Sequence, residues 1–575
     1  MNGLILTFEA KPMARNFTLF LFFTFLMALS LPSNAQQQDA ENSLLPEIDP
    51  QDIEIRSQFR ASFPGIRRQP ILGFDPTPRV YQVDPNRQPF METQEQVVAN
   101  LPVSELSRPN PPAYNPLKYS ENIQAYSRIG IGSYSSPEAN LWGVHRISEK
   151  SYVGGVLDFS SSNGHLDDQP SSFRFFNAKA EYTTKLDEDT RLQFNAGGQS
   201  DFHYLYELNN QLPVEQDLGK NYTGFHIDGN LNRFQNTVNG WNVDAGLKYF
   251  DVGLDEESLT GDINETVYRG SFAKRWSGSN VSETFTAKGG VRSGVYEAGE
   301  GQENWTTLQG GVRYQRLFNY ITKVTGEANV YYASDVAENV VYFAPSLEVE
   351  HTFSDRLKVT GHAEGKPYLK TIQHHHETNR FIAANNDLRH SYKIEASGEA
   401  SLEYYRGSTI NGGVRYTNTN NLPFYSQSTS VSNNSYYQIN YQDASNFKIY
   451  AGITHQLLPE RFWVSGRIYA QNPKLNGGQR VPFQETWGLN STVHISPIKR
   501  LTFEGWADYI GKRKTGITDQ KLDAIFLVGA QLDVEFTERF GAYFRGVNLL
   551  DDNYQLWEGY SERPLQIFGG VTVKL

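Results

Sequence analysis

Residues Phe540–Leu575 read FGAYFRGVNLLDDNYQLWEGYSERPLQIFGGVTVKL, two alternating strands around a polar loop. In the second strand Ile567, Gly569, Val571, Val573 and Leu575 share one face, and Gln566, Phe568, Gly570, Thr572 and Lys574 share the other. A period of two with an apolar outer side and a mixed inner side is what a membrane barrel strand needs, because lipid replaces the core outside while the lumen is polar.

The same alternation recurs upstream. Phe462, Val464, Gly466, Ile468 and Ala470 oppose Trp463, Ser465, Arg467, Tyr469 and Gln471. Leu501, Phe503, Gly505, Ala507 and Tyr509 oppose Glu504, Trp506 and Asp508; Val324, Gly326, Ala328 and Val330 oppose Lys323, Thr325, Glu327 and Asn329. From about Asn122 onward, two kinds of connection separate such segments. Tight turns are expected at Ser148–Lys150, Leu186–Asp189, Gln235–Thr237, Ser277–Ser279, Leu317–Asn319, Ser354–Asp355, Arg406–Ser408, Leu458–Glu460, Ser496–Ile498 and Thr537–Arg539. Longer polar connections fall at Asn209–Asn221, Tyr368–Leu388, Asn421–Ser435 and Asn472–Val481. Short turns on one side and long loops on the other are the asymmetry of outer-membrane barrels, with the short turns periplasmic. Ten such turns, plus one free strand at each end, predict an all-β transmembrane antiparallel barrel of roughly 22 strands over residues 121–575. A soluble sandwich or propeller, the alternative, uses shorter strands of about 5–6 residues and has no one-sided turn asymmetry.

Composition agrees. Hydrophobic residues make up only 38% of the 575, yet there are 33 Tyr and 35 Phe, which suits aromatic girdles around a polar lumen. The net charge of −12 argues against nucleic acid as a partner. With 0 cysteines, disulfides, thiolate metal sites, a cysteine nucleophile and a lipid-anchored N-terminal cysteine are excluded. Lys11 and Arg15, the apolar run Phe17–Leu31 and then Ser33-Asn34-Ala35 form a secretory signal peptide pattern over residues 1–35, so an exported protein is expected in the outer membrane, in contact with its lipid.

The block Asn548-Leu549-Leu550-Asp551-Asp552-Asn553-Tyr554, then Gly559-Tyr560 and Pro564, resembles the closing strands of TonB-dependent outer-membrane receptors. Arg563-Pro564-Leu565 stands where that family carries Pro-Gly-Arg. The resemblance implies ligand binding or transport at the outer membrane, with TonB as a partner and a folded plug ahead of the barrel. That plug is not recognisable here. Residues 36–120 carry prolines at intervals from Pro46 to Pro116, which interrupt strands and helices, so an extended periplasmic or lumenal segment is expected instead. Within it Glu95-Gln96-Val97-Val98-Ala99 resembles the short apolar TonB box, a strand that pairs with TonB. The arginines Arg56, Arg60, Arg67 and Arg68 either lie along acidic lumen residues such as Glu327, Glu348, Glu350 and Asp508 or belong to a solvated arm.

A barrel this wide needs something to occlude it: the Pro-rich segment, a plug or surface-lipoprotein partner, or loops folded inward. Two further readings follow, a structural or assembly component whose lumen a partner fills, and a passive diffusion channel. No catalytic constellation, cofactor fingerprint or metal site stands out, so no enzyme is expected. His374-His375-His376 reads as a solvated loop tip, since adjacent histidines on an extended chain point in opposite directions. Tyr204, Tyr206, Tyr425, Tyr436, Tyr437, Trp557 and Tyr560 either stack a sugar or another aromatic ligand or, as such residues more often do, belong to the interfacial aromatic girdle.

Overall fold

The computed structural model describes residues 125–575 apart from 167–169, 205–218, 234–238, 255–262, 279–281, 299–300, 383–386, 428–436, 459–460 and 517–519. The signal peptide, the Pro-rich segment and Glu95–Ala99 lie outside the described residues, as do Tyr206, Tyr436, the turn at Gln235–Thr237 and parts of the expected connections Asn209–Asn221, Ser277–Ser279, Tyr368–Leu388, Asn421–Ser435 and Leu458–Glu460.

The first strands are β1 (Ala125–Gly132), β2 (Ser136–Arg146), β3 (Ser151–Ser162), β4 (Phe173–Lys185), β5 (Arg191–Tyr204), β6 (Gly219–Asn232), β7 (Gly240–Leu254) and β8 (Ile263–Ser277). They continue as β9 (Glu283–Ala298), β10 (Gly301–Phe318), β11 (Thr322–Ser334), β12 (Asn339–Ser354), β13 (Leu357–Tyr368), β14 (Ser391–Tyr405), β15 (Ser408–Gln427) and β16 (Tyr437–Leu458). The last are β17 (Phe462–Gln471), β18 (Trp487–Ile498), β19 (Leu501–Ile510), β20 (Ile525–Glu535), β21 (Phe540–Val547) and β22 (Gln566–Lys574). Each pairs antiparallel with its sequence neighbours, and β1 also pairs with β22 from Tyr126↔Lys574 to Gly132↔Phe568, which closes a barrel of 22 strands. At this seam the backbones approach so closely that a side chain on Gly570 would strike the Ile129 carbonyl.

The facing pattern is the one the sequence dictates. In β22 Ile567 and Val571 are exposed outward, while Gln566, Phe568, Thr572 and Lys574 are buried inward. Val330, Val341, Phe343, Ile449 and Ile468 are likewise exposed on the outer wall, as lipid contact requires. Beside the short turns sit exposed Tyr320, Phe353, Tyr405, Phe536 and Phe540, an interfacial aromatic belt. The inner wall carries paired charge. Glu327 meets Lys288 and Arg313, and Glu395 meets Lys393 at 3.1 Å and Arg415 at 3.2 Å.

The expected tight turns that are fully described join β2 to β3, β4 to β5, β10 to β11, β12 to β13, β14 to β15 and β20 to β21, while Ser496–Ile498 forms the end of β18 and the turn to β19 follows at 499–500. All lie at one rim, the periplasmic one by turn length. β1 starts at that rim, where Ala125 and Leu575 exchange backbone hydrogen bonds. β15 and β16, 20 and 22 residues long, exceed the 9–11 that cross a bilayer and project above the opposite rim. A bulge between Thr419 and Leu422, with Asn421 at φ 54°, bends this ribbon.

Candidate functional site: a strap across the extracellular mouth

The described parts of the connection between β13 and β14, residues 369–382 and 387–390, do not stand out in solvent. Among the described residues the connection turns into the mouth of the barrel and carries a short helix, α1 (Ile372–Thr378). Thr371 caps the helix, its hydroxyl accepting the His374 amide at 3.2 Å, and the Asn379 amide closes it on the His375 carbonyl. Asn379 then accepts the Phe381 amide at 2.9 Å, which turns the chain sharply toward the far wall.

Two anchorages hold this strap. At its base Leu369, Ile372 and Leu388 pack with Tyr222, Phe250, Val252, Ile263, Val267, Tyr296 and Trp305, on the inner faces of β6 to β10. The Leu388 amide donates to the Tyr296 hydroxyl at 3.1 Å, and His390 binds Asp335 through both its backbone amide and Nδ1, at 2.6 and 2.8 Å. At its tip Phe381 and Ile382 enter a second cluster with Tyr425, Tyr437, Ile510, Ile525, Trp557 and Tyr560. Phe381 stacks nearly parallel on Tyr560, and the Tyr437 amide donates to the Phe381 carbonyl at 3.2 Å. β8 and β19, which contribute to the two clusters, are half a circuit apart in the ring of 22, so the strap spans the mouth from wall to wall.

Three side chains from the β5–β6 hairpin grip the middle of the strap. Lys220, only 2% exposed, donates to the Ile382 carbonyl at 2.8 Å and the Arg380 carbonyl at 3.3 Å. The Tyr222 hydroxyl and His203 Nε2 donate to the same Arg380 carbonyl at 2.8 and 3.2 Å. A buried ammonium is expensive unless its donors are satisfied, so this arrangement fixes the strap's position tightly. The connection between β21 and β22 supplies the opposing floor: buried Arg513 donates to the Leu556 and Gln555 carbonyls at 2.9 and 2.7 Å, holding Trp557 and Tyr560 in place.

The histidine tract is therefore not a solvated loop tip. His375 and His376 are buried on α1, because flanking apolar residues pull that segment out of water. His375 Nδ1 is bonded to the Tyr425 hydroxyl at 3.0 Å, and His376 lies against Tyr222 and Phe250. Among the described residues no three metal-ligating side chains converge. Burial holds all three histidines below their ordinary proton affinity, His374 to about 3 and the other two well down. Tyr425, Tyr437, Trp557 and Tyr560 are not girdle residues either; they line the strap's seat. The signal for all this was present in Leu369, Ile372, Phe381, Ile382 and Leu388, too many large apolar residues for an exposed loop.

No protein-family model matches the chain, and no curated protein does. Solved structures do. The ferric-catecholate import receptor Fiu from E. coli K12 superposes with TM-score 0.61 at 9% identity, over 79% of this chain and 82% of that one. The copper transporter OprC gives 0.62 at 10% identity, over 78% and 80%, and the siderophore receptor PirA from Pseudomonas aeruginosa gives 0.58 at 10%, over the same shares. At such identity the likeness establishes the fold alone: this chain forms a 22-strand barrel like the barrels of these receptors.

Proposed function

We infer that this protein is an outer-membrane receptor that takes a ligand at a strapped extracellular mouth and passes it inward through the lumen. The observation that carries this reading is the strap. A passive channel has no use for a wall-to-wall element anchored in two buried clusters, and a barrel filled by a partner protein does not need to close its own mouth. The solved neighbours named for ferric-catecholate import, siderophore reception and copper transport support reception as the class of activity.

On this reading residues 1–35 direct export, and residues 36–120 join β1 at the periplasmic rim, where Glu95–Ala99 is presented to TonB as an added strand. The test is capture of the mature chain by the immobilised periplasmic domain of TonB, with and without residues 95–99. Capture that depends on the five residues supports energised uptake. No capture of the intact chain, or capture indifferent to the deletion, removes TonB coupling. A near-stoichiometric protein co-purifying in the lumen would replace the receptor by the assembly-component reading.

A further inference from the structure

The inner wall of β15 to β17 breaks a rule that strand pairs normally keep. Arg415 on β15 and Lys448 on β16 are register partners, two cations directly opposite each other, an arrangement that destabilises a sheet. Glu395 draws Arg415 aside at 3.2 Å. Lys448 turns the other way, its ammonium 4.0 Å above the centre of the Tyr469 ring on β17. Arg467 on β17 reaches back, its guanidinium 4.4 Å above the centre of the Tyr450 ring on β16. Tyr450 and Tyr469 are themselves register partners, so the two cationic heads are brought over one pair of adjacent rings. Each ring lies across a glycine of the next strand: a side chain on Gly413 would strike the Tyr450 hydroxyl, and one on Gly488 the Tyr469 hydroxyl.

A ring face holds a cationic head without satisfying its N–H donors in hydrogen bonds. Among the described residues neither Lys448 nor Arg467 makes a hydrogen bond or an ion pair. The carboxylates around them are engaged. Glu399 accepts from the Tyr450 hydroxyl, and Glu485 accepts from the Tyr469 hydroxyl and the Gln471 amide, both at 2.9 Å. Asp508 stands in the same row as Arg467 but one strand beyond Asn490, with no ion pair to it. Asn490 lies directly beside Arg467, and Asn411 lies across Gly452 from it, so two amides flank the guanidinium. Arg467 is exposed to the lumen in the middle of β17, and Lys448 is further down β16 than Tyr437, to which the strap's tip is bonded.

We propose that Lys448 and Arg467 form a transit site in the lumen, below the strap, for an oxyanion group of the ligand: a carboxylate, sulfate or phosphate. A guanidinium fork and an ammonium, each held on a ring, offer an oxyanion donors from two sides, and their placement is set before it arrives. An oxyanion also offsets the repulsion among Arg415, Lys448 and Arg467, a local conflict of the kind that proteins retain at functional sites. The proposal rests on the receptor reading for the direction of passage and names the group that the passing ligand carries.

The test is phosphorus NMR of inorganic phosphate added to the mature chain in detergent micelles. It is run in parallel on Phe381→Ala, which removes the strap's tip anchor, so that a site the anion does not reach is not mistaken for an absent one. The phosphate line is expected to broaden with a saturation that gives Kd of about 1 mM, and sulfate or acetate should displace it far better than chloride does. The ranking of the displacers distinguishes a sulfate or carboxylate source from a phosphate one. Arg467→Gln and Lys448→Gln should each weaken binding about tenfold, and Arg467→Lys less, since lysine keeps the charge and loses the fork. Lys358→Gln, whose lysine is paired with Glu350 elsewhere on the wall, should leave the affinity unchanged. Heat-modifiable mobility in gels confirms that the variants still fold. No broadening in either chain up to about 10 mM phosphate overturns the proposal. So does displacement by chloride equal to that by sulfate, or an affinity unchanged in both glutamine variants. Such a failure leaves TonB capture untouched, whereas loss of TonB capture alone would leave the site standing.

Discussion

Replacing Phe381 by alanine should release the strap. The ring is 4% exposed, stacks on Tyr560 and meets His203 edge-on at 6.1 Å between centroids. Removing a buried phenylalanine costs about 3–5 kcal/mol. The lower end applies here, because the tip of a strap can readjust more freely than the middle of a sheet. About 3 kcal/mol changes the ratio of released to seated strap by about 150-fold. The cost falls on the seated state alone, since the barrel strands keep their pairing. In planar bilayers the variant should therefore open about a hundredfold more often than the parent. Phe381→Leu, which conserves most of the volume, should cost about 1 kcal/mol and raise openings about fivefold. Openings as rare in the alanine variant as in the parent, in protein that keeps its heat-modifiable folded band, would refute the reasoning that the tip cluster holds the mouth closed.

Other perturbations probe separate parts of the account. Lys220→Met leaves the Ile382 carbonyl without the lysine donor and should cost about 1–3 kcal/mol, read as faster tryptic cleavage after Arg380. Acidification should loosen the strap. The three histidines of α1 have proton affinities lowered by burial, so they stabilise the seated strap above about pH 6.5 and cease to do so as pH falls toward their seated values. For His374, held at about 3, the loss at pH 5 is about 2 kcal/mol, and openings should rise between pH 6 and 5; replacing all three histidines by glutamine should flatten that profile. On the lipid face, Val571→Arg should cost about 2–4 kcal/mol of barrel stability, measured as a lower urea midpoint in micelles, because Val571 is exposed at 56% on the outer wall.

The barrel was legible because lipid and lumen impose an alternation that survives almost any local variation. Ile567 and Val571 face out and Gln566 and Lys574 face in for no reason beyond the pleat. Turn spacing then gave the strand number, since each expected turn that is fully described lies at or beside the link between two paired strands of the closed sheet. The strap escaped this logic. Its packing partners come from strands far apart in sequence, Tyr222 and Trp305 on one wall and Tyr437 and Tyr560 on the other. No periodicity within residues 369–390 announces them, and seven residues of α1 are too few for a helical pattern to stand out. Thr371 as a helix cap and the five large apolar residues were the readable clues.

The most direct measurement of the central claim is the conductance of the mature chain in a planar bilayer, with the strap intact and with residues 371–388 replaced by a short Gly-Ser linker. A closed baseline is expected for the intact chain, and large, long-lived conductance steps once the strap is gone. A steady open pore in the intact chain, or a membrane that stays sealed after the replacement, would contradict it.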